Sequence, residues 1–186
     1  TSVLPRVRVP HGVDVLWDPV AAIAVAYATG ARFVREVFTG AYSGEIGIWN
    51  TNCAETLRFR RRIGAEGIKL LYNINAEFAA PLASRDLAAV ARSAVFSSLA
   101  DALCVSGQMT GEETGTENLR IVKEAAGNVP VFANTGVNID NLNEKLQVAD
   151  GAVVGTSLKH NGITWNPVDP ERVLKFMAAA KRARGE

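Results

Sequence analysis

The chain is poor in most of the features that mark a specialised class. It holds two cysteines and two histidines in 186 residues. Cys53 and Cys104 lie far apart and in no metal-like spacing, which removes a disulfide scaffold and a paired-cysteine metal or redox motif. His11 and His160 match no ligand spacing, so no metal site is expected. Twenty basic residues stand against 19 acidic ones, a formal net charge of +1, which gives no electrostatic case for nucleic acid or an anionic membrane surface. No apolar run approaches the roughly 20 residues of a membrane span. A Walker loop, a G-x-G-x-x-G fingerprint and a G-x-S-x-G elbow are all missing, and Ser106-Gly107 alone does not make the last. No cofactor is therefore expected. No lysine sits at a strand end as a Schiff-base candidate: Lys69 lies near the beginning of its strand and Lys159 past the last loop. Thr1 to His11 carry three basic or imidazole side chains and two prolines, without the apolar centre of a signal peptide. With reduced thiols, this predicts a cytoplasmic protein.

What is present is a repeating unit. An alanine-rich helical stretch, a turn, a short apolar strand and a polar glycine-bearing loop recur along the chain. The strands read from the sequence are 13–16, 33–36, 68–72, 102–105, 131–133 and 152–154. They show little alternation, as strands covered on both faces should. Helices between them imply parallel neighbours and right-handed crossovers. Asn52 with Glu55 suits a capping box, Ser84 can cap the helix carrying Leu87, Val90 and Ala94, and Asp169-Pro170 opens the last helix. That helix is expected to bury Val173, Leu174 and Met177, and the Arg58–Arg62 run to form a solvated helix face. Gly30, Gly64 and Gly127 follow helical runs as C-terminal caps.

The fold class this predicts is α/β, of the (β/α)8 barrel type. Such a barrel needs eight units in about 250 residues. Six are counted, so residues 1–186 read as one barrel domain, the C-terminal three quarters of a full barrel, lacking the first two strand–helix units. The alternative is an open six-stranded sheet with two unpaired edges. Either arrangement needs a partner to cover those edges, which makes a homo-oligomer an expectation.

Ligands of such barrels meet the loops after the strands. The two most informative are Asn134-Thr135-Gly136-Val137 and Gly155-Thr156-Ser157, after consecutive strands. Glycine lets backbone come close to an oxyanion, and exposed N–H groups and hydroxyls donate to it. Asn134, Gly136, Gly155, Thr156 and Ser157 are thus candidate phosphate-binding residues, unless the glycines serve only to turn the chain. Candidates for the reacting end are Arg35, Asn73, Asn75 and Glu77. Arg35 and Glu36 should face opposite sides of the sheet, leaving Arg35 to clamp an anion or to form an interior ion pair. Asn73 and Asn75, two apart, should share a face. Glu77 is a general base by type, or a solvated loop carboxylate.

Several stretches together carry a resemblance. Gly12-Val-Asp-Val-Leu-Trp-Asp-Pro, Ala28-Thr-Gly-Ala-Arg-Phe-Val-Arg, Ala80-Pro-Leu-Ala, Ala100-Asp-Ala-Leu-Cys-Val-Ser-Gly, Ala149-Asp-Gly-Ala-Val-Val-Gly-Thr-Ser-Leu-Lys and Trp165-Asn-Pro-Val-Asp-Pro resemble the BtpA family (BtpA/SgcQ-like) from about residue 12 to about 176. That family is similar to phosphate-binding (β/α)8 barrels, and its full chains carry further units before the point where this one begins. One relative is associated with photosystem I accumulation in cyanobacteria, and another with a bacterial sugar-metabolism gene cluster. Asn73-Ile-Asn-Ala-Glu-Phe-Ala departs from the family, whose members tend to show a His- or Lys-containing run there. The resemblance implies a phosphorylated small molecule or other anion as partner, with isomerase, epimerase or lyase chemistry. The competing implication is a non-catalytic assembly or stability factor.

Overall fold

A computed structural model describes residues 3–45 and 47–185. Thr1 and Ser2, part of the basic leading segment, lie outside the described residues. The elements run β1 (Gly12–Val13), α1 (Pro19–Thr29), β2 (Phe33–Glu36), β3 (Ala41–Gly44), β4 (Gly47–Asn50), α2 (Cys53–Arg62), β5 (Lys69–Asn73), β6 (Ala79–Pro81), α3 (Leu87–Phe96), β7 (Ala102–Val105), α4 (Thr116–Ala126), β8 (Val131–Ala133), α5 (Leu142–Leu146), β9 (Gly151–Ala152) and α6 (Pro170–Ala183). Six strands form one parallel sheet in the order β1-β2-β5-β7-β8-β9. Each lies beside the next of the six in the chain, which is how a barrel grows. The result is an α/β fold with a parallel, half-barrel sheet.

The outer face of the sheet makes the core. Val34, Leu70, Tyr72, Leu103, Val105 and Val131 are buried against Ile23 and Ala26 of α1, Ala91 and Ala94 of α3, and Leu119 and Val122 of α4. Alternate residues point the other way, and there Phe33, Leu71 and Phe132 are only half-buried. At each edge an aromatic ring lies over a glycine. A Cβ on Gly12 would meet the Phe33 ring at 2.1 Å, and one on Gly151 the Phe132 ring at 2.5 Å.

Local signals explain most helix ends. Asp18, Asn52 and Asp169 each accept a backbone N–H from the first turn of α1, α2 and α6. At α2 only half a capping box forms, because the Glu55 carboxylate pairs with Arg58 and Arg62 instead. Arg60 departs from the solvated face: it turns inward and donates to the carbonyls of Ala65 and Glu66. The cap of α3 is Asp86 rather than Ser84; Asp86 accepts from Ala89 N at 2.7 Å. In α6, Phe176 is buried while Leu174 and Met177 are exposed at 71% and 43%. The buried stripe runs through Val173, Phe176 and Ala180, at three- and four-residue steps, and the other two fall beside it.

One feature is absent from the sequence reading. The stretch after β2, expected as a loop, forms the antiparallel hairpin β3–β4, and β6 joins it to give a three-stranded sheet in the order β4-β3-β6. It lies beside the strand ends and holds Trp49 against Trp17, ring centroids 5.2 Å apart.

Candidate functional site

Every polar loop named above leaves the sheet at the C-terminal end of its strand. Between them lies a cavity of about 460 Å3 whose lining includes Arg35, Glu77, Asn134, Gly136, Gly155, Thr156 and Ser157. The turns after β8 and β9 meet directly: the Ser157 hydroxyl donates to the Val137 carbonyl at 2.9 Å. Among the described residues, the backbone N–H groups of Gly136, Gly155, Thr156 and Ser157 have no acceptor. A Cβ on Gly155 would meet nothing within 4 Å. Gly136 is different. Its φ is +69°, and a Cβ there would come within 2.3 Å of the Glu113 Cα. Only glycine lets the loop after β7 lie on that turn.

That loop is pinned from below by Lys145 of α5, whose side chain is 1% exposed. Its ammonium lies 2.5 Å from the Glu113 carboxylate and donates to Thr116 at 2.8 Å. The hydrogen bond from Lys145 holds the Glu113 carboxyl below the usual range. Gly107 N donates to the Thr135 hydroxyl at 2.6 Å, tying the same loop to the turn after β8.

The floor is a polar network. The Asn134 amide donates to the Ser106 hydroxyl at 2.7 Å and, at 3.4 Å each, to Asn73 Oδ1 and Glu77 Oε1. Glu77 also accepts from the Ser106 and Thr110 hydroxyls at 3.2 and 2.9 Å, so it is a fixed carboxylate rather than a freely solvated one. Asn73 is buried beneath this network. Asn75 does not share its surroundings. The strand ends at Asn73, alternation stops, and the Asn75 amide closes on the backbone of Ser106 with bonds of 2.7 and 3.0 Å. It lines a separate, more apolar cavity of about 640 Å3 against α3.

Arg35 and Glu36 do face opposite sides. Arg35 donates to Asn134 Oδ1 at 3.3 Å and pairs with Asp14 at 2.5 Å. Glu36 is 2% exposed and accepts from the backbone N–H groups of Trp17 and Val37 at 2.9 and 3.0 Å. Burial, then the neighbouring Asp14 carboxylate, pushes its carboxyl up to about 8. Trp17 reaches this bond with φ at 63°, a conformation rare for a bulky side chain. Its carbonyl accepts from the Trp49 indole at 3.0 Å. Cys104, inside β7, is fully buried, and its thiol is pushed up by that burial.

The sequence reading missed Arg172 and Asp14. Arg172 sits in the first turn of α6 and donates from Nε to the Ser157 carbonyl at 2.7 Å, which places it on the cavity wall. Asp169-Pro170 had already located that first turn, so the signal was present; only the fold of residues 156–162 brings it to the cavity. Among the described residues no cluster of acidic, histidine and cysteine side chains could hold a metal ion. Among the described residues no helix is long and apolar enough to cross a membrane.

A profile of the BtpA family matches residues 1–182. The chain is 48% identical over 183 residues to the sgc region protein SgcQ of Escherichia coli (strain K12), covering 98% of this chain and 68% of that protein. It is 34% identical over 172 residues to the photosystem I biogenesis protein BtpA of Synechocystis, covering 91% of this chain and 60% of the relative. Among solved structures, phosphoribosyl anthranilate isomerase from Thermococcus kodakaraensis superposes with a TM-score of 0.60 at 16% identity, over 97% of this chain and 78% of that one. This last likeness concerns the fold.

Proposed function

The chain belongs to the BtpA family, and on that premise we propose that it binds a phosphorylated small molecule of the sugar-phosphate kind in the cavity at its strand ends. The observation that carries this is the set of amides without an acceptor on Gly136, Gly155, Thr156 and Ser157, four residues that line one cavity with Arg172 on its wall. Such donors match the oxygens of a phosphate, and an arginine adds charge and a planar fork. Thr156, Ser157 and the amides hold the phosphate; Arg35, Asn73 and Asn134 shape the other end. Glu77, held by three donors, is the group that moves a proton, which suits isomerase, epimerase or lyase chemistry. An isomerase of a phosphoribosyl compound with the same fold is consistent with this reading.

The half-exposed Phe33, Leu71 and Phe132, together with the unpaired outer edges of β1 and β9, favour closure of the sheet into an eight-stranded barrel by two further strand–helix units. Residues 1–186 are then most of one domain. Expressed alone, they should self-associate through the open side; a monodisperse monomer at high micromolar concentration in the analytical ultracentrifuge would count against closure.

Thermal unfolding in inorganic phosphate tests the site. At a hundred times its dissociation constant a ligand adds about 2.7 kcal/mol, roughly 5 to 10 °C in a domain of this size. Gly155→Leu, whose side chain enters open space rather than protein, and Arg172→Gln should each remove that shift. A protein whose melting temperature ignores phosphate does not contain this site.

The named role of the Synechocystis relative favours a second reading, an assembly or stability factor. The chain does expose Ile163, Trp165 and Leu174, with Trp165 at 94%. Co-fractionation with membranes, unaltered by Trp165→Ser, would remove support for that surface.

A further inference from the structure

Two guanidinium groups line the cavity, and they serve different parts of it. Arg172 approaches from α6 and is fastened to the turn after β9 through Ser157. Arg35 approaches from β2, crosses the inner face of the sheet and ends beside Asn134. Its partners leave it donors to spare. Of the five N–H groups of a guanidinium, one goes to Asp14 and one to Asn134. The side chain is 25% exposed, so a ligand reaches it while water is partly excluded. The same cavity is lined by the Thr110 hydroxyl, Glu77 and Asn134, groups that pair with hydroxyls of a carbon chain.

We propose that the ligand is a phosphorylated hydroxy acid, its phosphate at the Arg172 end and its carboxylate against Arg35. This rests on the phosphate reading given above and extends it to the opposite end of the molecule. A carboxylate is planar, takes two parallel N–H bonds from one guanidinium, and carries a single charge. That last property decides between it and a second phosphate. Arg35 already pairs with Asp14 and shares Asn134 with Glu77, so the charge around it nets to about −1, and a dianion placed there meets about twice the net repulsion that a monoanion does. A cavity of about 460 Å3 lies within the common range for small ligands and holds a chain of several carbons between two anionic groups.

Calorimetric titration with three probes tests this: glycerol 3-phosphate, 3-phosphoglycerate and a sugar bisphosphate. The first two differ mainly in an alcohol against a carboxylate. In the unmodified protein 3-phosphoglycerate should bind at least about tenfold more tightly than glycerol 3-phosphate, the increment of one charge-assisted fork. In Arg35→Gln that ratio should fall towards one, with glycerol 3-phosphate affected less than about threefold; Arg172→Gln should weaken all three. Equal affinity for the two phosphomonoesters in the unmodified protein overturns the proposal while leaving phosphate binding standing. Tighter binding of the bisphosphate than of the phospho-acid also overturns it. Failure of inorganic phosphate and all three probes to bind removes the phosphate reading and this one with it. The unmodified protein's ratio decides the matter even if the Arg35 variant does not fold.

Discussion

Between pH 5 and pH 8 the protein should lose stability, and one buried carboxyl accounts for the loss. Glu36 is 2% exposed, its Oε1 is fixed by two backbone N–H groups, and the Asp14 carboxylate lies against it. Burial is the largest influence and Asp14 the next, and together they raise it from 4.5 to about 8. The folded protein therefore keeps a proton that the unfolded chain has released, and over that interval the folded state binds more protons than the unfolded one. Stability is then full below about pH 4.5, falls as pH rises, and levels off above about 8. A shift of roughly three and a half pH units at 1.36 kcal/mol each sets a ceiling of about 5 kcal/mol, and structural relaxation around a new charge should reduce it to about 2 to 4. Glu36→Gln keeps a neutral side chain of the same size. It should match the unmodified protein within about 1 kcal/mol at pH 4 and exceed it by about 2 to 4 at pH 9. Urea unfolding at a series of pH values, followed by tryptophan fluorescence, measures this, and the difference between the two proteins cancels the titrating groups that do not touch Glu36. A variant less stable than its parent at pH 9, or a parent with flat stability across the interval, would refute the reasoning.

The two remaining predictions concern the loop after β7. Gly136→Ala needs a side chain at φ +69° within 2.3 Å of backbone, so it should cost about 2 to 4 kcal/mol in urea unfolding, whereas Gly155→Ala should cost less than about 1. Lys145→Met keeps most of the buried volume and leaves Glu113 free to meet water, so it should cost about 1 kcal/mol, against about 3 for Lys145→Ala. Equal costs for Met and Ala would show that packing around Lys145 is unimportant. In Gly136→Ala and in Lys145→Ala, limited proteolysis should open the chain between Gly107 and Gly115 faster than elsewhere.

The parallel sheet was legible because its strands are short apolar runs separated by helices, a local pattern. Residues 33–36, 102–105 and 131–133 form strands with the predicted bounds. The antiparallel sheet was not legible. Its strands hold three or four residues each, rich in glycine, alanine and serine, and β6 pairs with a segment far away in the chain. Nothing local specifies such a pairing. The same distinction runs through the cavity. Gly136 and Gly155 announce themselves by following strands, whereas Arg172 looks like any other charge in a helical first turn until residues 156–162 fold back beside it. Asn75 erred the opposite way: two-residue spacing implies a common face only while the strand continues, and β5 stops at Asn73.

The small antiparallel sheet has a consequence for how this scaffold can vary. The connections leaving β2 and β5 are joined edge to edge through Tyr42 and Pro81, Ser43 and Ala80, and Gly44 and Ala79. Two excursions that would otherwise diversify separately form one stitched panel, and a Cβ on Gly44 would strike the Phe78 carbonyl at 2.7 Å. Exchanging either segment between relatives by itself would strand its neighbour's backbone donors and acceptors, so a functional chimera has to transplant both as a pair.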